Sequence, residues 1–209
     1  MRASDAFAMP HGSSPPPGLP SGFLNWGSRR LAKLVASTAP PAQNAPVNLN
    51  FREKIVAWEQ LPRWRQAIRQ SGRRLVVTNG CFDLLHLGHV LYLESARGHG
   101  DALLIGVNGD TSVRQLKGEG RPVNDETDRA LVLAALESVH AVCIFADKTA
   151  TRFLERAQPD LYVKGGDYTL DSLNQDERRA VESHGGRILI IPFVAGKSTT
   201  ATLAKIAKL

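Results

Sequence analysis

Cysteine is scarce in this 209-residue chain, which contains only Cys81 and Cys143. The two residues do not have the spacing of metal ligands, and each lies on or beside a stretch that is predicted to form a buried strand. Two separated cysteines also do not provide the disulfide framework of a small secreted domain. We therefore expect two free, buried thiols in a reducing cytosol.

Long hydrophobic runs are also missing from the chain. No segment approaches the roughly 18 apolar residues that are needed to span a bilayer. The N-terminus lacks the unbroken apolar core of a signal peptide, because prolines interrupt it early. These absences predict a cytoplasmic protein that has no membrane partner.

Aromatic residues make up only 6% of the chain, and they are not interleaved with basic residues in the manner of a nucleic-acid-binding surface. The net charge of +6 and the isoelectric point of about 9.6 leave nucleic-acid binding as an alternative. However, four basic residues against one acidic residue lie within the first fifty positions, so the rest of the chain holds only about half of the excess. A basic cleft for phosphorylated small molecules explains that remainder equally well.

Proline, serine and glycine are concentrated in the first 49 residues, mainly at positions 10–22 and 36–46. Proline removes backbone hydrogen-bond donors and glycine resists ordering, so these stretches are not expected to pack. We predict a disordered tail over residues 1–49 and one folded domain over residues 50–209. The hydrophobic content of the chain, 43%, suffices for one core.

Helical and strand patterns alternate along the predicted domain. Phe51–Ser71 has apolar residues at helical spacing, with Pro62 as an expected break. Ala102–Val107 is a continuous apolar run, as in a strand that is buried on both faces of a parallel sheet. The other predicted strands are Arg73–Thr78, Ala141–Phe145, Leu161–Lys164 and Arg187–Ile191, and the other predicted helices are Val90–Arg97, Asn124–Ser138, Thr149–Ala157, Ser172–His184 and Ser198–Leu209. Asp110–Leu116 is predicted to form a short helix or a turn. This order predicts an α/β fold, a Rossmann-like, doubly wound parallel sheet of about five strands.

The most informative stretch, Thr78–His89, follows the first predicted strand and precedes a predicted helix. His86 and His89 are three residues apart, so both imidazoles would face the same side of a first helical turn. Gly88 between them has no side chain and lets a ligand approach the backbone. The helix N-terminus adds free N–H groups and partial positive charge, so the motif predicts a seat for nucleotide phosphates.

Two glycines beside a lysine and an arginine predict a flexible, cationic loop over residues 117–122. Lys117, with Arg121 as its helper, would supply positive charge to the phosphates of a bound nucleotide. Arg129 would either reach the same phosphates or form a structural ion pair. A solvated surface loop is the alternative for the whole segment.

Two more groups of polar residues follow predicted strands, where ligands bind on such sheets. Asn108 and Asp110 would line the ligand crevice or, alternatively, form a helix cap and a turn. After the fourth strand, Lys164 and Gly165 would lie beside a sugar or base, because glycine lets the backbone approach a ligand closely. Asp167 can accept hydrogen bonds from hydroxyl groups, so this loop is also predicted to line the site.

A second group suited to phosphate opens the last predicted helix. Two or three hydroxyls and several backbone N–H groups at a helix N-terminus can bind phosphate, whereas an ordinary N-cap needs only one hydroxyl. We therefore predict that nucleotide phosphates are bound here by Gly196, Lys197, Ser198, Thr199 and Thr200.

Together these motifs resemble the HxGH nucleotidyltransferase superfamily and, within it, the heptose 1-phosphate adenylyltransferase family. The resemblance rests on the stretches T-N-G-C-F-D-L-L-H-L-G-H, G-V-N-G-D, L-K-G-E-G-R-P-V-N, V-K-G-G-D-Y and P-F-V-A-G-K-S-T-T, in this order between about residue 54 and residue 209. It implies that His86, His89 and Lys117 are catalytic. It also implies nucleotide contacts from Asn79, Gly80, Cys81, Phe82, Asp83 and Gly88, and acceptor contacts from Asn108, Asp110, Arg121, Lys164, Gly165 and Asp167.

The resemblance implies transfer of AMP from ATP to D-glycero-D-manno-heptose 1-phosphate, which gives ADP-heptose and pyrophosphate for lipopolysaccharide core synthesis. Magnesium would be bound mainly through the nucleotide phosphates and water, without a carboxylate metal site. Members of this family are often fused to a sugar kinase, for which 209 residues are too few, so a separate kinase is expected to supply the substrate. Members commonly form homodimers, and a homodimer is expected here.

Two other functions remain open on the sequence. Related cytidylyltransferases place an arginine three residues before the glycine that matches Gly196, whereas this chain has Phe193. A CTP-dependent enzyme acting on glycerol 3-phosphate or a similar alcohol phosphate is therefore a weaker alternative. A non-catalytic nucleotide-binding module is the other, and the presence of both histidines and Lys117 argues against it.

Overall fold

The computed structural model describes residues 50–166, 169–192, 199–206 and 208, which belong to one compact unit, Leu49–Leu209. The predicted N-terminal tail lies outside the described residues, as do Asp167, Gly196, Lys197, Ser198 and the side chain of Thr200. None of the helices in the described part of the chain is long and apolar enough to cross a membrane.

Within the described residues, five parallel strands form one sheet in the order β3-β2-β1-β4-β5. The strands are β1 (Leu75–Gly80), β2 (Ala102–Asn108), β3 (Ala141–Phe145), β4 (Leu161–Gly165) and β5 (Arg187–Ile191). Every residue of β2 is buried, which explains its unbroken apolar run. The strand order reverses between β1 and β4, and their carboxyl ends therefore border the crevice in which such sheets bind ligands.

Helices cover both faces of this sheet. They are α1 (Leu61–Gln70), α2 (Leu87–Arg97), α3 (Asp110–Lys117), α4 (Glu126–Ala134), α5 (Thr151–Ala157), α6 (Gln175–Glu182) and α7 (Thr199–Ile206), and two 3₁₀ turns, Phe51–Lys54 and Trp58–Gln60, precede α1. Apolar residues of α1, α5 and α6 pack in one buried cluster, and those of α2 and α4 pack in another. Successive residues of a strand point to opposite faces, so β1 contributes Val77 to the first cluster and Val76 to the second.

The close packing of α5 on the sheet depends on a glycine in β2. A Cβ atom added at Gly106 would lie 2.5 Å from the ring of Phe153, well inside van der Waals contact. The ring of Phe153 in turn stacks on Phe145 of β3, with centroids 5.2 Å apart. The doubly wound α/β fold predicted from the sequence is confirmed by this two-sided arrangement.

The boundaries of several elements differ from those predicted. Pro62 does not interrupt a helix but occupies the first turn of α1, where its missing N–H has no intrahelical partner to lose. The first strand begins and ends two residues later than predicted, at Leu75–Gly80. Helix α4 is capped by Asp125, whose side chain accepts the N–H of Asp128, rather than by Asn124.

A buried ion pair joins helix α1 to the amino ends of β1 and β4. Arg65, which is only 3% exposed, donates from Nη2 to Asp160 Oδ1 at 2.7 Å and from Nε to the carbonyl of Gln158 at 2.9 Å. Asp160 Oδ2 accepts the N–H of Leu75 at 2.7 Å. One carboxylate thus links a helix and two strands at the edge of the sheet opposite the carboxyl ends.

Asp160→Ala should therefore destabilise the fold without changing the chemistry at the other edge. The substitution leaves a buried guanidinium without its anion, so the free energy of unfolding should fall by about 2–3 kcal/mol. The loss is smaller than for a fully buried pair, because Asp160 is partly exposed to water. Urea unfolding measures this change. Asp176→Ala, which removes an exposed pair with Arg179, is the matched control and should cost less than about 0.5 kcal/mol. Equal losses in the two variants would contradict the assignment.

Candidate active site

The two histidines lie at the start of helix α2, directly after the loop that leaves β1. We call residues 81–86 the histidine loop. His86 is the N-cap residue of α2 and His89 is in its first turn, and their rings stack with centroids 3.9 Å apart and planes inclined by 21°. The expected juxtaposition of the imidazoles is therefore present, although His86 precedes the helix instead of lying within its first turn.

Hydrogen bonding determines which nitrogen of each ring is available. His89 Nδ1 accepts the backbone N–H of His86 at 3.4 Å, so the proton of a neutral His89 ring resides on Nε2. His86 Nδ1 is buried in a capping-box arrangement, where it faces the backbone N–H of His89 without forming a regular hydrogen bond. The pair thus offers ring N–H groups at a helix N-terminus, where anions bind.

Electrostatics keep His89 neutral. Burial, with a smaller contribution from the neighbouring His86, lowers the pKa of His89 from 6.5 to about 4. At neutral pH the ring therefore acts as a hydrogen-bond donor and not as a cation. The positive charge that a triphosphate requires must come from lysines, arginines or metal ions.

Tyr92 fixes the position of helix α2 above the crevice. Its hydroxyl lies 2.7 Å from Thr78 Oγ1 in β1 and donates to the carbonyl of Val163 in β4 at 3.0 Å. Burial raises the pKa of Tyr92, so the phenol remains protonated and both bonds persist. The helix that carries the histidines is consequently tied to both strands that border the crevice.

Asp83 connects the histidine loop to the segment that follows α3. Its Oδ1 accepts the N–H groups of Val123 and Asn124 at 2.8 and 3.0 Å, and its Oδ2 accepts Arg121 Nε at 2.6 Å. The Asp83 side chain is almost completely buried. Asp83 and Arg121 were predicted to bind nucleotide and acceptor, and the structure pairs them with each other. Contact of either residue with a ligand stays a prediction.

Lys117 lies at the end of α3, at the start of what we call the lysine loop, residues 117–122. It is exposed and has no hydrogen bond or ion pair with any described residue. Gly118 and Gly120 have φ angles of +89° and +78°, conformations that glycine adopts without strain, and open space surrounds both. The charge of Lys117 partly opposes the rise in the pKa of Cys81 that burial causes.

Arg129, Asp110 and Asn108 form internal contacts beside the site. Arg129 is fully buried, and its guanidinium donates to Asp110 Oδ1 at 2.7 Å and to the carbonyl of Cys81 at 2.5 Å. This is the structural ion pair that was one of the two interpretations for Arg129. Asn108 donates to Ser112 Oγ at 3.0 Å inside the start of α3. Asp110 therefore supports the histidine loop through Arg129, whereas Asn108 bonds within the start of α3, and acceptor binding by both residues stays a prediction.

A buried polar network occupies the point where the strand order reverses. Lys164 Nζ, at the end of β4, donates to Asn79 Oδ1 of β1 at 3.1 Å and to Glu177 Oε2 of α6 at 3.2 Å. The hydroxyl of Tyr162 lies 2.6 Å from the same Asn79 oxygen and 3.0 Å from the same Glu177 oxygen. Two residues predicted from motifs, Asn79 and Lys164, are thus brought together by two that were not predicted.

Glu177 had a sequence signal that suggested a different role. It lies three residues after Asn174, a spacing typical of a capping box in which the acid returns to its own helix N-terminus. In the structure, Asn174 does cap α6 by accepting the N–H groups of Asp176 and Glu177. The Glu177 carboxylate instead reaches outward, where Oε1 accepts the N–H of Ala150 before α5 at 2.9 Å.

Only part of the second predicted phosphate-binding site, at the start of α7, belongs to the described residues. Helix α7 begins at Thr199, whose hydroxyl donates to the carbonyl of Leu84 in the histidine loop at 3.3 Å. The start of α7 therefore lies against the histidine loop. Gly165 is the last residue of β4, and the N–H of the next residue, Gly166, donates to the carbonyl of Ile191 at the end of β5 at 3.0 Å.

A profile of the cytidylyltransferase-like family matches residues 77–196, which is more than half of the chain. The chain therefore belongs to this family of nucleotidyltransferases, and the predicted enzyme class is confirmed.

The chain is also similar to individual proteins. Two relatives named Bifunctional protein HldE, from Trichlorobacter lovleyi and Geobacter sulfurreducens, are 47% and 49% identical over 180 and 183 residues. These alignments cover 84% and 85% of this chain but only 36% and 37% of the relatives, so the chain spans little more than a third of their length. A lipopolysaccharide core biosynthesis protein of Thermoplasma volcanium has a crystal structure with 25% identity and a TM-score of 0.49, over 59% of this chain and 98% of that one.

The depressed pKa of His89 predicts a specific dependence of stability on pH. Below pH 6.5 the unfolded chain takes up a proton at this residue, whereas the folded chain does so only near pH 4. The free energy of unfolding should therefore fall as the pH drops through this window. Urea unfolding at about pH 7 and about pH 5 should show a larger loss for the wild type than for His89→Gln. An equal loss in the two proteins would mean that His89 is not buried in the neutral form.

Proposed function

We propose that this protein transfers AMP from ATP to D-glycero-D-manno-heptose 1-phosphate, giving ADP-heptose and pyrophosphate. The observation that carries nucleotidyl transfer is the stacked pair of histidines at the N-terminus of α2, directly after the carboxyl end of β1. The choice of ATP and a heptose is supported by the motif set and by the similarity to HldE proteins.

In the proposed reaction an oxygen of the sugar phosphate attacks the α-phosphorus in line, and the bond to the β-phosphate breaks as pyrophosphate leaves with the electron pair. No side chain acts as a nucleophile. His86 and His89 donate N–H groups to the triphosphate, and the helix dipole adds to the same field. Lys117 closes over the phosphates and neutralises charge that develops on the leaving group. The chain therefore contributes position and charge rather than covalent chemistry.

Magnesium fits this site as an ion held by phosphate oxygens and water. Within the described ranges, no group of three His, Cys, Asp or Glu side chains is arranged to hold a metal. Asp83, the carboxylate in the histidine loop, already accepts three N–H donors. When bound, the ion supplies charge neutralisation on the phosphates, and the protein's part is to hold the triphosphate through His86, His89 and Lys117.

The proposal extends to the setting of the enzyme. A separate kinase would supply the sugar 1-phosphate, and the reaction would take place in the cytoplasm, where ATP is abundant. The protein would act as a homodimer, which light scattering coupled to gel filtration measures. A mass that matches one chain would remove the dimer but not the activity.

Substrate choice is tested by pyrophosphate release with a panel of nucleotides and acceptors. ATP with the heptose 1-phosphate should exceed CTP with glycerol 3-phosphate by at least about tenfold in kcat/KM. The family match to cytidylyltransferase-like proteins makes the CTP reaction the second candidate. Preference for CTP would replace the proposed substrate, and no release with any pair would favour a binding module.

The histidines should matter for turnover far more than for stability. His86→Ala and His89→Ala should each lower kcat by at least about 10²-fold, the scale for removing one preorganised donor. His99→Ala, which changes an exposed histidine two residues beyond the C-terminus of the same helix, is the matched control and should retain activity. Near-normal turnover in either histidine variant would remove the proposed mechanism.

Lys117 should act mainly in the transition state, because the lysine loop would bring it to the phosphates only on closing. Lys117→Ala should lower kcat strongly while the Kd for ATP rises much less. Arg114→Ala, one turn earlier on the exposed side of α3, is the control for a general change of surface charge. If ATP affinity falls in parallel with turnover, Lys117 contributes ground-state binding and the loop-closing mechanism is wrong.

A further inference from the structure

The network at the strand reversal contains a buried carboxylate that the proposed mechanism does not use. Glu177 is only 7% exposed, and both of its oxygens accept hydrogen bonds. One oxygen bonds to Ala150 N–H at the start of α5, and the other to Tyr162 and Lys164 of β4. The carboxylate thus joins the segment after β3 to the carboxyl end of β4.

A pair of this kind is weak evidence of a purely structural role. Removing a carboxylate and an ammonium from water costs free energy that their attraction barely repays, and apolar residues of similar size would stabilise the fold equally well. Tyr162 and Asn79 would pack at this position without any charged neighbour. The placement of an ion pair where parallel sheets bind ligands therefore indicates a function for its cation.

The contacts of Lys164 leave part of its ammonium available. Of its three N–H donors, one bonds to Asn79 and one to Glu177, and the side chain remains 17% exposed. Two fixed acceptors on β1 and α6 restrict the direction of the third donor. A flexible lysine side chain loses conformational entropy when it binds a ligand. Lys164 is already fixed by its two hydrogen bonds, so ligand binding costs it less entropy.

The geometry of in-line transfer calls for a cation in this position. The leaving pyrophosphate is assigned to the histidines and Lys117, and the entering group must approach the α-phosphorus from the opposite side. The entering group is itself a phosphate and carries negative charge. Lys164 lies at the end of β4, across the strand reversal from the loops that hold the leaving group.

We infer that Glu177 is a positioning residue that holds Lys164 so that the remaining N–H of its ammonium binds the phosphate of the sugar 1-phosphate acceptor. This inference rests on the proposed function. A cavity of about 240 Å³ lies at the neighbouring carboxyl ends of β2 and β3, lined in part by Ala146 and Asp147. These residues belong to the segment whose far end, Ala150, donates its N–H to Glu177, so one carboxylate contacts both the cation and this segment.

The test is a double-mutant cycle read through the kinetics of each substrate separately. Glu177→Gln keeps the size of the side chain and an oxygen for Ala150 but removes the charge. It should lower kcat/KM for the sugar phosphate by about tenfold or more, with KM for ATP within about twofold. Lys164→Met should produce a loss of similar kind. In the Lys164→Met background, Glu177→Gln should cause no further loss beyond about twofold, because its effect passes through the lysine.

Controls separate this role from a structural one. Glu182→Gln, which affects an exposed pair with Arg178 on the same helix, should leave both KM values unchanged. If Glu177→Gln does not fold, Glu177→Asp takes its place, because it keeps the charge and shortens the side chain by one methylene. It should show the same acceptor-specific loss to a smaller degree. Independent, multiplicative losses in the double variant, or equal effects on ATP and acceptor, would overturn the inference.

The wild-type assay distinguishes this inference from the proposal beneath it. Absence of pyrophosphate release from the wild type with every sugar 1-phosphate would remove the proposed function and the inference together. Wild-type turnover with unchanged acceptor kinetics in Glu177→Gln would remove the inference alone.

Discussion

The reversal of strand order between β1 and β4 is the constraint on which the rest of the structure depends. A parallel sheet must be covered on both faces, so the chain places α2 and α4 on one side and then crosses to β4. The carboxyl ends of β1 and β4 consequently meet with no connection passing over them. Tyr92 fixes helix α2 at this crevice by forming a hydrogen bond with a residue of each strand. The histidines lie on the segment that leaves β1 and Lys164 lies at the end of β4, whereas Lys117 lies at the end of the helix that follows β2.

Some cations around the crevice between β1 and β4 form ion pairs with carboxylates, whereas Lys117 forms none with the described residues. Arg121, Arg129 and Lys164 each pair with a carboxylate, and these pairs connect the loops to one another. Lys117 has no such partner among the described residues, and His89 is neutral because burial lowers its pKa to about 4. The paired cations fix the positions of the surrounding elements before substrate binds, whereas the unpaired Lys117 can form an ion pair with the phosphates. Preorganised charge of this kind stabilises a transition state without reorganisation during the reaction.

The fold and the centre of the site were predictable because local patterns specify them. Buried parallel strands such as β2 appear as continuous apolar runs, and β3 and the partly exposed edge strand β5 also have the predicted boundaries. The histidine pair was recognisable from its spacing after a strand. The supporting residues were not, because their partners are remote in sequence: Asp83 and Arg121 are 38 positions apart. Glu177 was obscured by a local capping pattern, although its carboxylate bonds outside its own helix.

The central claim is direct transfer of AMP to the oxygen of a sugar phosphate, with no covalent intermediate on the protein. The stereochemistry at the α-phosphorus measures this most directly, when ATPαS of one known configuration replaces ATP and the configuration of the thio-substituted ADP-heptose is determined. The account predicts inversion, because a single in-line displacement inverts the phosphorus. Retention, which two successive displacements through an adenylylated protein would give, would contradict it.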